Sequence, residues 1–325
     1  MKKIIIVGAG FSSAVLSSFF KNQDISIYDK GRGPGGRCST RRVDKVGFFD
    51  HGLQFISPKN NNFLLFLNIN LKKYITNWEG NFFKDNELLE KKIRWIGKDG
   101  NNDFVRNLLH ANVYFNKELC KLYRNEKQWN LEFKDGTKEI TNLLILTLPL
   151  EQCKKLIQSL NLNLILDGKM EPTLSAMLAF KEKTYINGSG YTLTKNNILG
   201  WCANESSKGR EKNNKNLELW SIQSTSSYAK KNHQYYKEKK NEILKEMIDA
   251  FVKHFKLENK EIVYKNIHGW SYAQNNNPKT SKYIWLPKLR LGICGDWMSG
   301  PKAENAWESS SLLFKAMAKD MNWTN

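Results

Sequence analysis

Four β-branched residues, Ile4-Ile5-Ile6-Val7, run straight into the turn Gly8-Ala9-Gly10. A strand that enters a glycine turn and leaves as a helix strongly restricts what can follow, because it sets a helix N-terminus at the strand's carboxyl end. The apolar stretch 14–20 predicts that helix, and 25–28 predicts a second strand that stops at Asp29. Strand, glycine turn, helix, strand and acid are the parts of a dinucleotide-binding βαβ unit in their required order. Gly8 permits the tight turn. Gly10 lets the backbone approach a pyrophosphate, with Phe11, Ser12 and Ser13 in the first helical turn, where N–H groups and the helix dipole favour an anion. Asp29 stands where a carboxylate accepts hydrogen bonds from ribose hydroxyls. Ser13 occupies the position where the third small residue is usually Gly or Ala. The plainer reading is a buried strand followed by an ordinary glycine turn. The register of all four features favours the nucleotide.

A second glycine-rich stretch follows at once, Lys30-Gly31-Arg32-Gly33-Pro34-Gly35-Gly36-Arg37. Glycine and proline at this density cannot hold a regular element. Lys30, Arg32 and Arg37 carry the charge expected of a phosphate-binding loop, since a guanidinium fork pairs with phosphate oxygens in bidentate fashion. The alternative is a flexible basic loop at the surface, but its place directly after the nucleotide unit argues for a pyrophosphate held from both sides. Near the other end, 289–293 reads as a strand running into Gly295-Asp296-Trp297, and a helix of small and apolar residues opens around Glu304 and Asn305. Asp296 could accept a hydrogen bond from a ribityl hydroxyl, and the helix N-terminus could stabilise negative charge on a flavin N1–C2=O edge. Taken alone, Gly-Asp is an ordinary turn; the first two motifs promote it.

Together, Gly8-Ala9-Gly10, Asp29, Arg32-Gly33-Pro34-Gly35-Gly36-Arg37, Asp50-His51-Gly52-Leu53-Gln54-Phe55 and Gly295-Asp296-Trp297 resemble the renalase-like branch of the FAD-dependent amine-oxidase superfamily. The resemblance continues through 175–180, Ser206-Ser207-Lys208-Gly209-Arg210 and His268-Gly269-Trp270, so it touches nearly the whole chain. Asp29 stands where Glu is commoner. The resemblance implies FAD, extended between 8–29 and 295–305 and held noncovalently, because no cysteine matches the attachment site of the covalent members. It implies that His51, Gly52 and Gln54 contact the isoalloxazine ring and that backbone near Leu119 meets the adenine, with Thr147 and Pro149 close by. It places Phe55 and His268 in the pocket facing the flavin, with Trp270 and Trp297 nearby; for each of these four, core packing is the competing role. The implied reaction is oxidation of misreduced 2- or 6-dihydronicotinamide dinucleotides to NAD(P)+, with dioxygen as the acceptor and hydrogen peroxide as the product. Oxidation of an amine or another small reduced metabolite on the same scaffold is an alternative, as is flavin binding without turnover.

The remaining features bound this reading. The chain has 325 residues, enough for two domains and a large core. Its net charge of +19 raises the question of nucleic acid. The basic residues are spread along the chain among asparagines, however, and no nucleic-acid motif appears, so a solvated surface is expected, with a modest attraction for anionic nucleotides. Five scattered cysteines without a C-x-x-C pair suit reduced thiols in a cytoplasm. The five histidines lack metal-ligand spacing, so no metal is expected. The first apolar run is too short for a signal segment, and no run approaches the roughly twenty residues of a membrane span.

Helices are expected over 60–71, 104–109, 151–160, 238–255 and 304–319. Strands are expected over 74–83, 94–97, 113–115, 119–124, 129–133 and 143–149, with a hairpin turn at Asp135-Gly136. A second set of strands covers 175–180, 190–194, 198–203, 217–224 and 262–270. The expected architecture is an α/β, two-domain FAD-binding fold: a Rossmann-like parallel-sheet domain and an inserted mixed or antiparallel substrate-binding sheet domain. The expected division assigns 1–72, 98–165 and 275–325 to the FAD-binding domain and 73–97 with 166–274 to the substrate domain.

Overall fold

A computed structural model describes every residue except 1, 2, 21, 22, 161, 163, 279, 280, 324 and 325. The opening unit is present as β1 (Ile4–Val7), α1 (Phe11–Phe19) and β2 (Ile25–Tyr28). A hairpin of β3 (Thr40–Val43) and β4 (Gly47–Asp50) follows, then α2 (Asn61–Leu71), whose first turn is capped by the Asn60 side chain. Next come β5 (Ile75–Asn77), β6 (Phe82–Lys84), β7 (Glu87–Leu88), β8 (Trp95–Gly97), the short α3 (Asp103–Arg106) and β9 (Asn112–Tyr114). The antiparallel strands β10 (Leu119–Asn125), β11 (Gln128–Phe133) and β12 (Lys138–Thr141) precede β13 (Leu143–Leu146) and α4 (Leu150–Gln158).

The second half begins with β14 (Glu171–Phe180), β15 (Gly190–Thr192), β16 (Leu199–Asn204) and β17 (Glu218–Ser224). Then come α5 (Ser226–Asn232), α6 (Lys240–Phe255), β18 (Ile262–Gln274), β19 (Ile284–Leu286), β20 (Leu291–Ile293) and α7 (Ala303–Met321).

The fold is mixed α/β, with a Rossmann-like parallel sheet and a second, largely antiparallel sheet. The first sheet runs β19-β20-β13-β1-β2-β9 and is parallel except for the edge strand β19. Its central strands are apolar at every position because both faces are covered. Ile4 and Ile6 pack with Leu16, Leu313 and Met317 of α1 and α7. Ile5 and Val7 face the other way, onto Leu131 and Phe133 of the β10–β12 sheet and Leu150 of α4.

The second sheet runs β18-β14-β17-β16-β15-β6-β7. Along β14 the side chains alternate. Leu174, Ala176, Leu178 and Phe180 join the core made with α5 and α6. Met177 and Ala179 point to the opposite face and pack on Phe49 of the β3–β4 hairpin. That hairpin therefore fastens the sheet face to the end of the second glycine-rich segment.

Two expectations are corrected. The single strand over 74–83 is two: β5 pairs with β8, whereas β6 joins the large sheet beside β15. The break falls at Gly80 (φ +133°), where an added Cβ would sit 2.0 Å from Ser189 Oγ. The strand over 262–270 runs on to Gln274, because β14 offers a partner as far as Glu171.

Candidate functional site

At the carboxyl end of β1, Gly8 has φ +108°, and a Cβ there would lie 2.7 Å from Thr147 Oγ1. Thr147 in turn donates to the carbonyls of Val7 and Gly8 at 3.0 and 3.2 Å, so the turn is walled by the residue that follows β13. Pro149 stands just beyond, at the N-cap of α4. Gly10 is the N-cap of α1; it makes no side-chain cap bond, and a Cβ on it would meet nothing within 4 Å. The first turn, Phe11-Ser12-Ser13, holds no acid and is buried, with Ser13 Oγ donating back to Gly10 O at 2.8 Å. Open space in front of an uncapped helix N-terminus is the cradle that a pyrophosphate requires.

The second glycine loop comes to the first. Gly35 N donates to Ala9 O at 3.1 Å, and Gly36, at φ +52°, would bring a Cβ within 3.4 Å of Gly10 Cα. Asp29 binds both loops, accepting from Ala9 N at 2.6 Å and from Gly31 N at 2.5 Å. Its carboxylate thus has a structural task beside any ribose contact. Lys30 and Arg32 are exposed. Leu119 is half-buried at the start of β10, two residues after Lys117, whose N–H donates to Asp29 O at 2.8 Å.

Arg37 and Asp296 meet each other. Nη1 reaches Oδ2 at 2.8 Å and Nη2 reaches Oδ1 at 2.5 Å, while Nη1 also donates to Ala273 O at 3.0 Å. The guanidinium fork is therefore taken by a carboxylate, which leaves Nε–H and one Nη2–H for any phosphate. Gly295 and Asp296 follow β20 in a short 3-10 turn, so this pair clasps the second glycine loop to the last motif. Glu304 and Asn305 brace the same region. Glu304 Oε2 accepts from Lys59 N and Asn60 N at 2.6 and 3.2 Å. Asn305 Nδ2 donates to Ser299 O and Gly300 O at 3.0 Å, closing the turn into α7.

Beside this clasp stands an aromatic wall. The Trp270 indole lies nearly parallel to the His51 ring at 5.4 Å and donates to His51 O at 2.8 Å. His268 meets the His51 ring edge-on at 5.0 Å and Trp270 at 4.4 Å. Gly52 has no room for a side chain: a Cβ would fall 2.1 Å from Arg37 O and 3.3 Å from Trp270 Cζ2. Its carbonyl accepts from Gln223 Nε2 at 2.8 Å. Trp201, Gln223, Ser175 and His268 are direct cross-strand neighbours along β16, β17, β14 and β18, so they share the sheet face turned toward the 51–55 segment. Gln54 Nε2 donates to Asp50 O and Gly52 O, but Gln54 Oε1 and His51 Nδ1 are buried without a partner. Unpartnered buried polar atoms are costly, and here they lie where a bound ring with polar edges would satisfy them. The residues present therefore fit a flavin.

Burial lowers the pKa of both histidines to about 4. Neighbouring basic groups add to the effect: the His268 ring and the Arg41 cation act on His51, and the Arg41 and Lys240 cations act on His268. Both rings are neutral at pH 7. The other two predicted pocket residues do not touch this wall, and only Trp297 lies in the core. Phe55 turns into an aromatic box with Trp78, Phe82 and Trp201 at 5.8–6.3 Å. Trp297 is fully buried in the core against α4, donating to Leu148 O at 3.1 Å, and is no part of the wall.

A buried ionic cage underlies the wall, and sequence reasoning gave it no role. Lys208 Nζ lies 2.7 Å from Asp50 Oδ2 and 2.9 Å from Glu205 Oε2. Arg210 reaches the same two carboxylates at 2.5 and 3.3 Å. Asp50 Oδ1 also accepts from Thr40 Oγ1 at 2.6 Å and Asn101 N at 3.1 Å. The flanking cations hold the Asp50 carboxyl far below the usual range against the opposing effect of burial, whereas burial pushes Glu205 up. Asp50 directly precedes His51, so the cage fixes where the wall begins. The available signal was the Ser-Ser-Lys-Gly-Arg motif, whose partner Asp50 lies 158 residues away from Lys208.

Residues 6–68 match the family of NAD(P)-binding Rossmann-like domains. Over the whole chain the structure is similar to a protein of Exiguobacterium sp. 255-15 provisionally named a protoporphyrinogen oxidase, with TM-score 0.76 and 10% identity, covering 99% of each chain. It is also similar to cyclohexylamine oxidase of Brevibacterium oxydans IH-35A, with TM-score 0.69, 9% identity and 99% of each chain. A putrescine oxidase variant matches with TM-score 0.71, 8% identity and 99% of each chain. The chain shares their fold. The expected two-sheet architecture is thus found both in the chain and in proteins with which it shares a tenth of its residues or fewer.

Proposed function

We propose that the protein is an FAD-dependent oxidoreductase of the renalase-like kind, an oxidase of misreduced dihydronicotinamide dinucleotides. The observation that carries the reading is the clasp of two glycine loops at the open, uncapped N-terminus of α1, set beside the wall of His51, His268 and Trp270. We assign 1–72, 98–165 and 275–325 to the cofactor unit and 73–97 with 166–274 to the substrate unit. In this assignment the α1 N-terminus and the loop around Gly36 and Arg37 hold the pyrophosphate, and Asp29 holds the adenosine ribose. His51, Gly52 and Gln54 hold the flavin ring. Bound FAD supplies the hydride acceptor and the route for electrons to dioxygen, which leaves as hydrogen peroxide.

The chain's own part is orientation. A dihydropyridine expels hydride with the help of its ring-nitrogen lone pair, so no strong base is required, and the neutral His51 and His268 suit that. Trp270 and His268 offer a flat surface on which a nicotinamide ring stacks, and holding the ring in one pose is worth several kcal/mol of the barrier. An amine substrate is the weaker reading, because the charges bearing most on His268 are Arg41 and Lys240, which repel an ammonium. Five free cysteines suit a reducing cytoplasm. Among the described residues no helix is long and apolar enough to cross a membrane.

The test is direct. Heat-denatured protein should release FAD, and anaerobic mixing with 2- or 6-dihydronicotinamide dinucleotide should bleach the flavin faster than a panel of amines does. His268→Ala and Trp270→Ala should slow bleaching while FAD content stays near one per chain. FMN or NAD alone in the supernatant, or bleaching by amines only, would refute the reading.

A further inference from the structure

Arg41 is a half-buried guanidinium with no hydrogen bond, ion pair or ring contact among the described residues, at the edge of the aromatic wall. Its direction follows from register. Arg41 lies opposite Phe49 in the β3–β4 hairpin, so both side chains leave on the same face. Phe49 uses that face to stack on Tyr264 of β18, with ring centroids 5.5 Å apart. His51 follows Phe49 by two residues and keeps to the same side, where it meets His268. Arg41 is thus a diagonal neighbour of His51 and faces the β18 segment that carries His268. Its sequence neighbour behaves differently: Arg42 points to the other face and is engaged by Asp99 O at 2.8 Å and Asn102 Oδ1 at 3.0 Å.

The rim across from Arg41 is also cationic. Lys240, at the start of α6, reaches Asn266 Oδ1 of β18 at 3.3 Å, two residues before His268. Tyr236 lies over Gly269, where a Cβ would fall 3.0 Å from its ring, and donates to Ile267 O at 2.8 Å. Positive charge from Arg41 is felt at His51, His268 and Tyr236, and charge from Lys240 at His268. An open planar fork with a second cation nearby is matched to phosphate oxygens.

We infer that Arg41, assisted by Lys240, forms a subsite for a phosphate group of the substrate at the edge of the His51–His268–Trp270 wall. The inference rests on the proposed function for the ring-bearing part of the substrate, but the subsite itself is testable without it. It assigns to Arg41 a share in substrate affinity and none in the hydride step. Arg41 would be wasted on an uncharged substrate and harmful to a cationic one.

The experiment compares wild type, Arg41→Gln, Arg41→Lys, Lys240→Met and, as a control, Arg42→Gln, all as purified with their cofactor. The first arm is isothermal titration with inorganic pyrophosphate. Wild type and Arg42→Gln should bind it, and Arg41→Gln should bind about ten-fold more weakly, with Arg41→Lys and Lys240→Met between them. The second arm is anaerobic flavin reduction by the mononucleotide and by the riboside of the same dihydronicotinamide. Arg41→Gln should raise the half-saturating concentration about ten-fold for the mononucleotide and leave that for the riboside and both limiting rates unchanged. Added salt should weaken the mononucleotide only. If neither dihydronicotinamide reduces the flavin while pyrophosphate binding still depends on Arg41, the substrate reading fails and the subsite stands. Pyrophosphate that fails to bind wild type, or binds Arg41→Gln equally well, overturns the subsite, as does an equal shift for mononucleotide and riboside.

Discussion

Removing Lys208 should destabilise the protein by an amount that depends on pH. The side chain is completely buried and lies between Asp50 at 2.7 Å and Glu205 at 2.9 Å. In Lys208→Met, Asp50 keeps Arg210, Thr40 Oγ1 and Asn101 N, whereas among the described residues the Glu205 carboxylate keeps only the longer Arg210 contact at 3.3 Å, besides whatever water enters. Two buried carboxylates then share one guanidinium. Breaking a buried pair by removing one partner costs about 3–5 kcal/mol. Protonating Glu205 caps that cost. From an ordinary value of 4.5 the proton costs about 1.4 kcal/mol per pH unit, or about 3 kcal/mol at pH 7. The sign follows from linkage. A carboxyl whose folded pKa lies above its unfolded one binds its proton in the folded state first, so the variant keeps most of its stability near pH 4.5 and loses it as pH rises toward 7. Chemical denaturation at pH 5, 6 and 7 should therefore show a deficit of about 1 kcal/mol growing to about 3 kcal/mol. The double variant Glu205→Gln/Lys208→Met removes the stranded charge and should recover most of the loss. A deficit independent of pH, or a double variant that loses the sum of both single changes, would refute the argument that charge balance in the cage is what Lys208 supplies.

Two further outcomes are expected. Because burial holds both His51 and His268 at about 4, the folded protein resists protons that the unfolded chain accepts below about 6.5. Stability should be full above that pH and fall between 6.5 and 4, by at most about 3 kcal/mol for the buried His51. His51→Asn should flatten that fall in denaturant titrations at several pH values, and an unchanged slope would show that the ring titrates normally. Trp297→Phe should lower stability by about 1–3 kcal/mol through the lost bond to Leu148 O and the space left in the core. It should leave the flavin reduction rate at saturating substrate unchanged; a rate loss without a stability loss would return Trp297 to the pocket.

Much of the cofactor side of the molecule is local in sequence, and for that reason it was legible. Ile4–Val7 can only be a strand buried on both faces, Gly8 must take a positive φ, and Gly10 must stay bare, and each requirement is set by neighbours within a few residues. The hairpin at Asp135-Gly136 and the cap at Asn60 are local in the same way. What a side chain meets across the molecule is not local. Arg37 and Asp296 were each read as ligands for a cofactor, yet they stand 259 positions apart in the chain and face each other, because the return of β20 beside β13 carries Asp296 to the glycine loop. Trp297 and Trp270 look alike in a sequence, each following a glycine by one or two residues. Only packing makes one a core residue under α4 and the other a wall that stacks on His51. The same holds for Asp50, Glu205, Lys208 and Arg210. Their types are printed in the chain, but it is the seating of the β3–β4 hairpin against the second sheet that removes water from all four and turns ordinary surface charges into a cage.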